Sequence, residues 1–153
     1  MKRPSALRAI LPAWLVVGVL DISSAIVIWY QRGTGLRRGL QGIGAGILGP
    51  KSLEGGIATA LLGLAIHFFI AFVVVSIFYL ASRKIGFLLK QPLVSGELYG
   101  ILVYLFMYWV VLPTVFPKFR HRIGNDTLAI AIHISLIGLP TAFIISRYSQ
   151  PNE

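Results

Sequence analysis

Apolar residues run almost unbroken through four stretches of this chain, and basic residues close each stretch. The first runs from about Leu11 to Tyr30, between Arg8 and Arg32. The second runs from about Ile57 to Ala81, between Lys51 and Arg83. The third runs from about Leu93 to Phe116, between Lys90 and Lys118, and the fourth from about Thr127 to Ile145, between Arg122 and Arg147. A helix needs about 20 mostly apolar residues to cross a bilayer. The pattern predicts an all-α fold: an integral membrane four-helix transmembrane bundle, one domain over residues 1–153. Pro140 is expected to kink the fourth span. A cleaved signal peptide is the weaker reading of the first span. Ile26-Val27-Ile28-Trp29-Tyr30 continues past the cleavage-like Ser23-Ser24-Ala25, and Asp21 interrupts what should be an apolar core.

A different periodicity fills residues 35–48. Leu36, Leu40, Ile43 and Ile47 recur at steps of four, three and four, which is one face of a helix. Gly39, Gly42, Gly46 and Gly49 form a neighbouring face, and Arg37, Arg38 and Gln41 take the remainder. The pattern predicts a short amphipathic interfacial helix between spans 1 and 2. Each glycine costs it about 1 kcal/mol against alanine. Close packing of the glycine face on a neighbour is the expected compensation. Gly49 suits a helix C-terminus and Pro50 stops continuation. Ser52 is expected to cap the second span, with Glu54 in its first turn.

The same glycines imitate a nucleotide site. Gly44-Ala45-Gly46-Ile47-Leu48-Gly49 satisfies GxGxxG, but no strand precedes it and no acidic residue follows at the right distance. A phosphate loop also fails, because Pro50 separates Gly49 from Lys51 and removes a needed N–H. Nucleotide is therefore excluded as a partner.

Composition agrees with a membrane setting. Charged residues are 12% of the chain, about half the share of a soluble domain. The net charge is +9, but the basic residues lie between apolar runs, where they meet anionic lipid headgroups. Arg37, Arg38 and Lys51 are the candidate headgroup contacts, and no nucleic-acid partner is expected. With no cysteine, disulfides, thiolate catalysis and Cys-ligated metals are out.

Function should reside in the polar residues inside the spans, because each is costly there. Asp21, His67, Tyr104, Tyr108 and His133 fall within about 6 Å of the middle of their spans at 1.5 Å per residue. Small residues share their faces: Gly18 beside Asp21, Ala60, Gly63 and Ala71 beside His67, and Gly96 and Gly100 before Tyr104. These five form the candidate buried polar network. It has several readings. It is a clasp that only locks helices, as in a structural or assembly subunit. It handles protons or a small solute, since an Asp–His pair is a plausible relay. It is a metal site with Asp21, His67 and His133 as ligands, or a haem site on His67 and His133. The acid and the tyrosines favour a more polar site than haem prefers. No cofactor is required by any spacing motif, and no catalytic residue stands out. Ser23, Ser24, Ser76 and Ser135 are expected to bond between helices. Glu97 is expected to meet Lys84 or Lys90, and His121 to belong to the basic cluster with Lys118, Arg120 and Arg122. Trp14, Trp29 and Trp109 read as anchors or packing.

Three segments, "LEGGIATALLGLAIHFFIAF", "GELYGILVYLFMYWVVLP" and "HISLIGLP", together resemble a group of small four-span bacterial inner-membrane proteins of unknown function. The resemblance implies a bacterial inner membrane and supplies no ligand or catalytic residues. A homo-oligomer or a membrane protein partner is compatible with it. The basic residues divide seven to seven between the two sides: Lys2, Arg3, Arg8, Arg83, Lys84, Lys90 and Arg147 against Arg32, Arg37, Arg38, Lys51, Lys118, Arg120 and Arg122. The tie leaves the basic N-terminus to favour cytoplasmic termini.

Overall fold

The computed structural model describes residues 6–149. Lys2 and Arg3 of the orientation count lie outside them. Four helices are long and apolar enough to cross a membrane: α1 Ala6–Gln31, α3 Gly56–Ser82, α5 Pro92–Val115 and α6 Ile123–Ser149. A shorter helix, α2 Leu36–Leu48, joins α1 to α3, and a single turn, α4 Phe87–Lys90, precedes α5. The protein is a multi-pass membrane protein with a helical bundle. The spanning helices overrun the apolar stretches by several residues at some ends, since a helix does not stop where its apolar run does.

The helices pack through small residues. α1 meets α3 and α6 along Ala9, Ala13, Val17 and Gly18, all buried. Gly18 leaves room for the Phe68 ring, and Trp14 Nε1 donates to the Phe68 carbonyl at 2.7 Å. α5 meets α6 through the predicted glycines. A side chain on Gly96 would strike the Leu139 backbone, and one on Gly100 the His133 and Ile134 backbone. Gly138 faces both glycines from α6. Lipid supplies no hydrophobic drive between helices, so this backbone proximity is what van der Waals packing can use.

The expected kink at Pro140 takes the form of a widened turn. Residues His133–Gly138 are π-helical, and so are Met107–Val111 before Pro113. A proline ring clashes with the carbonyl four residues earlier. Those carbonyls belong to Leu136 and Trp109, inside the two π turns. Single π turns of this kind recur at functional sites, and these two carry His133 and Tyr108.

α2 lies across one end of the bundle. Gly39 accepts the Trp29 ring from α1, Gly44 sits against Ser52 and Thr59, and Gly46 meets Val115 at the end of α5. Gly63 of α3 abuts the Leu40 carbonyl. The glycine-face expectation therefore holds for Gly39 and Gly46, while a side chain on Gly42 would meet no neighbour and Gly44 is buried in its place. Gly49 ends the helix with φ 64° as expected.

Three expectations about this corner are corrected. Gln41 is not on the polar face with Arg37 and Arg38. It is 2% exposed, and its Nε2 donates to the Gly56 carbonyl at 2.9 Å. Glu54 lies before α3, which starts at Gly56 with no acid in its first turn, and Ser52 does not cap it. Its hydroxyl instead donates to the Gln41 carbonyl at 2.8 Å, and Thr59 Oγ1 donates to the Ser52 carbonyl at 2.6 Å. The three residues tie α2 to α3, and a buried amide needs such partners.

The intramembrane serines also differ from expectation. Ser23, Ser24 and Ser135 donate to carbonyls of their own helices, at Val19, Asp21 and Ala131. Ser76 has no partner among the described residues. The cross-element tie is Ser146, which donates to the Leu89 carbonyl at 2.6 Å. Back-bonding to the preceding turn is the local option always open to a helical serine.

Candidate polar site at the centre of the bundle

Asp21 and His67 meet at the centre of the α1–α3 seam. His67 Nε2 lies 2.9 Å from the Gly18 carbonyl, and His67 Nδ1 lies 3.8 Å from Asp21 Oδ2. A carbonyl only accepts, so Nε2 carries the hydrogen. Nδ1 then faces a carboxylate oxygen. In the neutral ring with an ionised acid, two acceptors face each other. A proton on either partner makes them donor and acceptor. The separation is longer than a hydrogen bond.

His133 approaches from α6. Its Nδ1 donates to the Ala129 carbonyl one turn earlier, at 2.8 Å, which leaves Nε2 as its remaining polar atom. Tyr104 and Tyr108 of α5 stack on each other with ring centres 4.8 Å apart, and both present their rings at near right angles to His133, at 5.9 and 5.8 Å. Asp21 and His67 thus form one pair, and His133, Tyr104 and Tyr108 a second set held by ring packing.

Two spaces adjoin these residues. Asp21, His67 and His133 line an inner cavity of about 50 Å³, closed by Val17, Ile70, Val74, Val103, Met107 and Ile137. It suits a few waters at most. Asp21 and His133 also line a larger vestibule of about 250 Å³, together with Ser24, Tyr108, Arg32 and Asp126. Arg32 to Asp21 is about 16 Å along α1 at 1.5 Å per residue. That is about half the hydrocarbon thickness. The side chain of Asp21 is 30% exposed and that of His67 11%, so the acid faces the vestibule and the imidazole lies behind it.

The vestibule mouth uses residues that the hydrophobic pattern did not single out. Arg32 Nη2 donates to Asn125 Oδ1 at 3.1 Å and ties α1 to the start of α6. His121 is not merely one of a basic cluster. Its Nδ1 lies 3.2 Å from Asp126 Oδ2, and its ring stacks on Trp109 at 4.2 Å. The signal available in the sequence was Asp126, an acid five residues after His121. Glu97 is exposed and forms no ion pair among the described residues, so neither Lys84 nor Lys90 meets it.

For a metal, the donor geometry is poor. Among the described residues no three His, Asp or Glu side chains gather closely enough to hold an ion. For haem, the inner cavity between the two histidines is far smaller than a porphyrin. Arg37, Arg38 and Lys51 are exposed at the α2 end. Compared with protein-family models, curated proteins and solved structures, the chain matches none.

Proposed function

We propose that the Asp21–His67–His133 group is a proton-exchange site in mid-membrane, reached from one face only. One observation carries this reading. Asp21 lines both the vestibule and the inner cavity, as His133 does, so it stands between the vestibule and the buried His67 imidazole. The chemistry balances simply. A hydronium in the vestibule protonates the Asp21 carboxylate and leaves as water. The carboxylic acid then gives its proton to His67 Nδ1, while Nε2–H stays on the Gly18 carbonyl. A small rotation of the Asp21 side chain closes the 3.8 Å gap. An intramembrane acid is costly, and a histidine beside it gives that acid a proton-accepting partner. With the termini cytoplasmic, in the bacterial inner membrane that the sequence resemblance implies, the vestibule opens to the outer side. The same site would admit a small polar solute in place of hydronium.

Infrared difference spectra of the reconstituted protein across a pH step test this. A carboxylic-acid C=O band is expected to appear on acidification and to be absent from Asp21→Asn. Asp21→Asn should remain folded, since the substitution removes a charge rather than a close contact. If wild type and Asp21→Asn give the same spectra while Asp21→Asn loses its fold, the residues only lock helices and the proposal fails.

A further inference from the structure

The bundle is not closed on all sides. α3 packs on α1, and α5 packs on α6. α3 and α5 touch through Tyr99, whose hydroxyl donates to the Val74 carbonyl at 2.6 Å and whose ring meets Phe78 at 5.0 Å. Beyond Tyr99 the two helices leave an apolar groove of about 400 Å³. Phe69, Val73, Leu102 and Phe106 line it and are exposed towards lipid. Pockets for small molecules span about 300–1,000 Å³, so this one takes a single apolar chain and not a whole phospholipid.

The groove ends against the polar site. Ile70, Val74, Val103 and Met107 line the groove on one side and the Asp21–His67–His133 cavity on the other. One layer of apolar side chains therefore separates lipid from three polar groups. Met107 is unbranched and adapts readily, and it opens the π turn of α5. The inner cavity is small, about 50 Å³, so a head reaching it carries one small polar group. Asp21 disfavours an anionic head there.

We infer that the α3–α5 groove admits, sideways from the bilayer, a single-chain amphiphile with a neutral hydroxyl or carbonyl head, placing that head at Asp21, His67 and His133. The site shares these three residues with the proton-exchange reading and rests on it for the head's chemistry. The chain occupies the groove, and the head displaces the Met107 side chain to reach His67 Nδ1 or Asp21.

The test uses the full chain in liposomes with a diazirine-bearing hexadecanol, irradiated and mapped by peptide mass spectrometry. Labels are expected on α3 and α5 around Phe69, Val73, Leu102 and Phe106. Unlabelled hexadecanol should compete at least fivefold better than hexadecane. Leu102→Trp, which fills the groove from its lipid side, should remove the label. Asp21→Asn combined with His67→Phe should erase the preference for the alcohol while leaving the chain's labelling in place. Equal labelling of α1 at Leu15 and Val19 overturns the inference, as does equal competition by hexadecane. Efficient disulfide cross-linking of two Leu102→Cys chains also overturns it, because a second copy then covers the groove. The infrared titration of Asp21 reads the proton site separately, so either reading can fail alone.

Discussion

Towards the start of α1, the helices meet without a gap. Ala9, Ala13, Val17, Val75, Phe78, Ala142 and Ile145 are at most 1% exposed and form one apolar cluster. Towards the end of α1, a polar vestibule of about 250 Å³ holds Asp21, Arg32, Asp126 and His133. α1 and α6 contribute to both halves, but α3 enters only the closed one, and Phe119 and Arg120 help to line only the vestibule. What differs is the size and polarity of the side chains at the seams. Alanine and valine at successive turns let backbones close up, whereas Asp21, Trp29, Tyr108 and Phe119 hold them apart. The closed half offers an ion neither a carboxylate nor a vestibule, only buried hydroxyls such as those of Ser76 and Thr141, and unpaired charge in such a medium costs several kcal/mol. The open half offers both. Asp21 stands at the boundary, and under the proposed function access to it is one-sided.

The contrast is easiest to break at the glycine seam. Gly138 faces Gly96 and Gly100 backbone to backbone. Gly138→Val is expected to cost at least the upper end of ordinary overpacking, about 3 kcal/mol. The folded monomer peak in detergent gel filtration should be lost. Next comes a matched pair. Ala13 is 0% exposed in the closed half, and Ala25 lines the vestibule. Ala13→Leu should destabilise by about 1–3 kcal/mol, read as a lowered thermal midpoint. Ala25→Leu should leave that midpoint within a degree or two and slow hydrogen–deuterium exchange near Asp21. Equal midpoints would mean the two halves are packed alike. The smallest effect is expected at the α2 corner. Ser52→Ala removes the bond to the Gln41 carbonyl, worth about 1 kcal/mol. Exchange protection should fall in α2 and stay unchanged at Phe78.

Much of this arrangement was legible before any coordinates. The span lengths, the Gly96–Gly100 packing face and the C-terminal role of Gly49 follow from local spacing, because a helix converts spacing into face and length directly. What spacing does not contain is which helices become neighbours, and how far apart they stand. Gln41 sits beside two arginines in the sequence, so periodicity assigned it to the polar face. Its burial depends on Gly56 and Thr59, which only the fold brings near. His121 looked like a basic-cluster residue for the same reason, since its stacking on Trp109 crosses a chain reversal. The π turns have a local cause in Pro113 and Pro140, but sequence alone allows a kink or a widened turn. The vestibule was invisible because it is an absence of packing.

Cysteine accessibility tests one-sided access most directly, and the natural chain has no cysteine to confuse it. Asp21→Cys, Ala25→Cys and Ala13→Cys are each placed in sealed vesicles and offered a membrane-impermeant thiol reagent from one side at a time. The account predicts that positions 21 and 25 react from the α2 face alone and that position 13 reacts from neither. Reaction of position 21 from both faces, or from neither, would contradict it.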